Sequence, residues 1–90
     1  MGILALAADE RVSEVEFADG MLSVFLMDGR NIRVPIVWYP RLLAASEAER
    51  QNWIVSGGGY GIHWPDIDED LSTEGLLRGA PAPRQEMALA

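Results

Sequence analysis

Ninety residues, 49% of them hydrophobic and 23% charged, suit one small folded domain and are too apolar for a disordered chain. Fourteen acidic residues against seven arginines give a net charge of −7, which opposes direct DNA or RNA binding, since that binding rests on basic groups releasing counterions. Cysteine and lysine are both absent, so disulfides, thiol nucleophiles, cysteine-held metal centres, Schiff-base chemistry and a phosphate-loop lysine are excluded.

The apolar run at residues 1–8 has no basic flank and ends at Asp9 and Glu10. It is too short for a membrane span and wrongly flanked for a signal peptide, so a cytoplasmic protein is expected. Residues 11–17 alternate, with Val15 and Phe17 on one face and Glu14 and Glu16 on the other, which predicts a strand with one wet face. Asp19-Gly20 supplies the positive φ of a tight hairpin turn. Residues 21–27 are apolar on both faces, with Leu22, Val24 and Leu26 on one and Met21, Phe25 and Met27 on the other, and predict a central, well-covered strand. Asp28-Gly29 repeats the turn signal, and residues 30–34 alternate again until Pro35, which cannot donate to a ladder. The first third is therefore a three-stranded antiparallel meander.

Period two then stops. Pro40 suits the first turn of a short helix continued by Leu42, Leu43 and the alanines. Ser46 and Glu49 have the spacing of a capping box, opening a further turn or two through Gln51. Trp53, Ile54 and Val55 form a short apolar run stopped by Gly57, Gly58 and Gly59, and residues 60–64 form another stopped by Pro65. The two either pair as a hairpin or cross to the meander. Ser72, Thr73 and Glu74 open a last short helix carrying Leu76 and Leu77 inward, which Gly79, Pro81 and Pro83 end. From Ala80 the composition predicts a mobile tail.

Asp66, Asp68 and Asp70 alternate as calcium-loop ligands do. Leu71 stands where such a loop needs glycine and Leu77 where it needs a bidentate Glu, so a solvated acidic turn is the better reading. His63, the single histidine, has carboxylates nearby that could orient it as a base, yet no nucleophile at a recognisable elbow accompanies it, and a half-buried structural role is expected. The three glycines lead into a strand-like run without lysine, which fits a flexible turn better than an anion cradle. Trp38, Tyr39, Trp53, Tyr60 and Trp64 are more than a thin core hides, so some reach the surface. Trp53 and Trp64 are as well suited to closing one edge of the core as to binding a partner. Charge is uneven: residues 1–45 carry six acids against four arginines, and residues 46–90 carry eight against three. An acidic surface of this kind steers basic partners.

The run from Trp53 through the glycines to Ile62, His63, Trp64, Pro65, Asp66, Ile67, Asp68, Glu69, Asp70, Leu71 and Ser72, then Gly75, Leu76 and Leu77, resembles a small bacterial family, domain of unknown function 2442. The likeness extends to Asp28-Gly29, the Tyr39-Pro40-Arg41-Leu42 step, Ala45-Ser46 and Arg50. The resemblance implies a compact α+β fold and supplies no catalytic residue. Other members continue into a DNA-binding helix-turn-helix, which a chain of this length is not expected to carry. Stand-alone members are often encoded beside a small toxin-like protein of another family of unknown function, and this neighbourhood implies an antitoxin role.

The expected fold is α+β: a small antiparallel sheet, the three-stranded meander plus one or two short strands, with two or three short helices. One domain is expected at residues 1–79, with a flexible tail at 80–90. The expected function is that of a noncatalytic, antitoxin-like interaction module, which binds a basic protein through an acidic and aromatic face of Trp53, His63, Trp64, Asp66, Asp68 and Asp70. No cofactor, direct nucleic-acid contact or membrane association is expected. Open sheet edges or apolar faces predict a homodimer. The alternative is a regulatory domain binding a small molecule, or a metal through His63, Asp66 and Asp68. An enzyme ranks last, for want of an activated nucleophile or cofactor loop.

Overall fold

The structure, a computed structural model, describes residues 7–79. β1 (Val12–Ala18), β2 (Met21–Leu26) and β3 (Asn31–Pro35) form an antiparallel sheet in the order β1-β2-β3, the meander that the alternation predicts. Asp19 and Gly20 turn between β1 and β2 with φ of 56° and 74°, the left-handed geometry that matches a tight hairpin to the twist of its strands. The register sets Val15 opposite Val24 and Leu22 between Phe17 and Val34, so alternation delivers one apolar face. A register shift between Val12 and Glu14 adds a residue to β1, which lets Val12 and Val15, three apart, both reach the core.

A 3-10 turn (Ile36–Trp38) leads into α1 (Pro40–Ala44), where Pro40 occupies the first turn. α2 (Glu47–Gln51) opens with the expected capping box. The Glu49 backbone N–H donates to Ser46 Oγ at 3.1 Å, and the Ser46 N–H donates to Glu49 Oε1 at 2.9 Å. Arg50 of α2 reaches back to α1, with Nε donating to the Leu42 carbonyl at 2.9 Å and Nη2 to that of Leu43 at 3.1 Å. A cation thereby meets the carbonyls at a helix C-terminus, where the dipole favours positive charge.

β4 (Ile54–Ser56), β5 (Gly61–Trp64) and β6 (Glu69–Ser72) form a second antiparallel sheet in the order β4-β5-β6. The two apolar runs thus pair with each other and not with the meander. β6 departs from the expected acidic turn. The chain turns over residues 65–68, with Asp68 at φ 53°, and then extends so that Glu69 lies opposite Trp64 and Leu71 opposite Ile62. The fold is α+β as predicted, with six strands in two sheets among the described residues where four or five in one were expected.

α3 (Thr73–Arg78) is capped by Ser72 Oγ, which accepts from the Gly75 N–H at 3.0 Å, and it ends at Gly79 with φ 78°. Leu76 is buried, but Leu77, also expected inward, is exposed. Neighbours on a helix diverge by about 100°, and a helix this short offers the core one stripe. The core joins the inner face of the first sheet to Tyr39, Leu42, Ile62, Trp64, Leu71 and Leu76. Among the described residues no helix is long and apolar enough to cross a membrane. The tail expected from residue 80 and the first six residues of the N-terminal apolar run lie outside the described residues.

Candidate interaction face

Pairing across the second sheet sets Ile54, His63 and Asp70 in one row and Ser56, Gly61 and Ser72 in the next. The residues between them on β5 and β6, Ile62, Trp64, Leu71 and Glu69, are buried, so both rows lie on the outer face. His63 Nδ1 meets Asp70 Oδ1 at 2.9 Å. A carboxylate only accepts, so Nδ1–H is the donor, and this bond fixes the ring on the sheet. The His63 side chain is 29% exposed and that of Asp70 68%. The bond to Asp70 orients the imidazole, and no hydroxyl among the described residues hydrogen-bonds the ring.

Of the other predicted site residues, Asp66 and Asp68 are exposed on the turn that joins β5 to β6. Asp66 Oδ2 accepts from Asn52 Nδ2 at 2.9 Å, and the Asp68 carbonyl accepts from Arg41 Nη1. Trp53 is half-buried against the core. Trp64 leaves the face altogether: it has no exposure, its ring stands edge-on to Phe17 at 6.3 Å, and its Nε1–H donates to the Arg50 carbonyl at 3.0 Å. The one polar group of the indole is satisfied inside, so nothing draws it to water. Ile54, 52% exposed and itself in the row, supplies apolar surface on this face. Sequence reasoning passed over Ile54. The signal available was the brevity of its run, which marks an edge strand whose side chains are covered by one neighbour strand only.

The arginines are unevenly committed. Arg11 pairs with Asp9 at 2.7 Å, and Arg30 pairs with Asp28 at 2.8 Å and with Glu10 at 3.4 Å. Hydrogen bonds from Arg11 hold the Asp9 carboxyl below its usual range. Arg30, with backbone N–H groups of Asp9 and Arg30, holds Asp28 lower still. Arg41 Nη1 lies 3.8 Å from the buried Glu69, and Arg78 pairs with Glu74. None of the ion pairs among the described residues joins an arginine to Asp66, Asp68 or Asp70. Tyr39, buried with a hydroxyl that finds no partner among the described residues, has its pKa pushed up by desolvation and then by the Glu69 charge.

His63, Asp66 and Asp68 do not assemble the metal site of the alternative reading, because His63 is committed to Asp70 and Asp66 to Asn52. Among the described residues no three His, Asp or Glu groups converge closely enough to hold a metal ion. A cavity of about 240 Å³ lies between the β1–β2 turn and α2, lined by Phe17, Asp19, Ile36, Glu47 and Arg50 among others. It is below the roughly 300–1,000 Å³ of small-molecule sites and includes none of the six predicted residues.

The fold has solved counterparts. A crystal structure of a protein of unknown function from Rhodospirillum rubrum superposes with a TM-score of 0.72 at 29% identity, covering 87% of this chain and 96% of that one. A solution NMR structure of an uncharacterised protein from Chromobacterium violaceum superposes with a TM-score of 0.73 at 21% identity, covering 87% of this chain and 73% of that one, a likeness of fold. No curated protein matches the sequence. Residues 12–82 match the family described as "Protein of unknown function (DUF2442)", a span holding both sheets, all three helices and the Ile54–His63–Asp70 row, and the chain belongs to that family.

Proposed function

We propose that the protein is a noncatalytic interaction module that docks a basic protein partner through the outer face of its second sheet and the acidic turn beside it. The observation that carries this reading is the uneven distribution of arginine. Carboxylates near the N-terminus are matched by Arg11 and Arg30, while Asp66, Asp68 and Asp70 stand exposed with no ion pair to any arginine among the described residues. Exposed charge of one sign raises the rate of encounter with a cationic partner and selects against acidic ones. Ile54, the His63 ring and the uncovered part of Trp53 add apolar area beside that charge, where desolvation supplies affinity. The module is antitoxin-like in this sense: it masks a cationic surface by covering it. The interaction belongs to the cytoplasm, where a chain without cysteine forgoes nothing.

Affinity capture from the native cell, followed by titration of the purified partner, tests the reading. A basic protein should be retained at low salt and released at high salt. Its Kd should rise at least about tenfold for the variant Asp66→Asn/Asp68→Asn/Asp70→Asn. A partner bound equally by that variant, or capture of no protein at low salt, overturns it.

A further inference from the structure

The outer face of the first sheet is covered by no described element. Its buried residues, Val12, Val15, Leu22, Val24, Leu26 and Val34, all lie on the opposite face, where the helices and the second sheet pack. An open antiparallel face normally carries polar residues. Here the outward positions of the central strand are Met21, Ser23 and Phe25, and Met27, 55% exposed, continues the alternation. Met21 and Phe25 are half-buried between neighbouring strands but do not pack against the core. Among the described residues, the expected cover over both faces of β2 is therefore present on one.

Charge borders this apolar spine asymmetrically. Register sets Glu16, Ser23 and Arg33 in one row across the face, and Glu14, Phe25 and Asn31 in the next. Glu16 and Arg33 stand two strands apart, about 10 Å between their backbones, with Ser23 between them, and they form no ion pair with each other. Of the arginines among the described residues, Arg33 is the one with neither a carboxylate nor a carbonyl partner.

We propose that this face docks a second copy of the chain, sheet against sheet, about a two-fold axis parallel to β2. Rotation about that axis exchanges β1 and β3 while preserving position along the strands. Glu16 then lies over the partner's Arg33, Arg33 over the partner's Glu16, and the Phe25 side chains of the two copies meet in the next row. A two-fold axis across the strands would instead set β1 over β1, bringing Glu14 and Glu16 against carboxylates of the other copy. Charge complementarity therefore selects one isologous arrangement, with the two sheets packed in the aligned manner of a β-sandwich. The proposal does not rest on the acidic face, which belongs to the other sheet.

Sedimentation velocity of the full chain from micromolar to millimolar concentration tests it. The wild type should self-associate. Arg33→Glu and Glu16→Arg should each raise the dimer Kd at least about tenfold, since either places like charges together twice per dimer. Circular dichroism should stay unchanged, because neither residue supports the core. The double reversal Glu16→Arg/Arg33→Glu should restore the dimer. A wild type that stays monomeric at millimolar concentration, a dimer indifferent to both single reversals, or a double reversal that fails to restore association overturns the proposal.

Discussion

Asp28 shows how one carboxylate fastens the start of β1 to the β2–β3 turn. It accepts from Arg30 Nη2 at 2.8 Å, from the Asp9 N–H at 2.9 Å and from the Arg30 N–H at 3.1 Å, and its side chain is only 11% exposed. Its folded pKa lies well below the unfolded value of about 3.9, so the stability it contributes is complete above roughly pH 4 and is lost as pH falls below that. Asp28→Asn, which keeps one acceptor oxygen and removes the charge, should lower Tm at neutral pH and flatten the fall of Tm below about pH 4. Thermal melts from neutral to strongly acid pH check this, and parallel curves for the two proteins would contradict it. The Asp-Gly turns and the alternation around Val15 and Val24 were legible because each depends on adjacent residues. The fate of Trp64 was not. Alternation places Ile62 and Trp64 on one face, but only the Arg50 carbonyl, fourteen residues away in sequence, decides that this face can take an indole N–H inward.

Among the elements, those defined by local chemistry matched expectation and the one defined by distant partners did not. Pro40, the capping box and Gly79 announce helix ends through bonds within a few residues. β6 is hidden, because Glu69 and Asp70 read as solvent-facing, and Glu69 is buried near Arg41, which another element supplies. The outer row was half legible: His63 and Asp70 were both candidates, but their pairing across β5 and β6 required a strand that the acids concealed. α2 matters to that face indirectly. It carries Arg50, whose carbonyl holds Trp64 and whose guanidinium lies over the Phe17 ring at 5.8 Å, and so it fixes the inner side of β5. Removing its cap should therefore be felt globally. Ser46→Ala is expected to cost about 1 kcal/mol and to lower Tm by roughly 4–8 °C in a domain of this size, with Ser46→Asp retaining most of the wild-type value. Calorimetry or a circular-dichroism melt measures it. An unchanged Tm for the alanine variant would mean that α2 gains nothing from the box.

For the whole molecule, the excess negative charge opposes compaction, because fourteen acids and seven arginines are held closer in the folded state than in the unfolded one. Exposed ion pairs such as Arg78–Glu74 offset little of this, being worth about 0–1 kcal/mol each, and salt weakens them too. Repulsion summed over the surface outweighs them at low ionic strength, where the screening length is about 30 Å and spans the domain; at 1 M salt it falls to about 3 Å. Salt should therefore raise Tm, by a few degrees between low and high ionic strength. Asp66, Asp68 and Asp70 concentrate the repulsion in one region. If they are kept for docking and not for folding, removing their charge should help the fold and harm the interaction, the usual conflict between a functional site and stability. Asp66→Asn/Asp68→Asn/Asp70→Asn preserves an acceptor for Asn52 and another for His63, so the local hydrogen bonds survive. That variant should melt above the wild type at low salt, show a smaller rise with added salt, and bind the basic partner less well. A lower Tm at every ionic strength would show instead that these carboxylates hold the β5–β6 turn in place, and their exposure would then carry no argument for a partner.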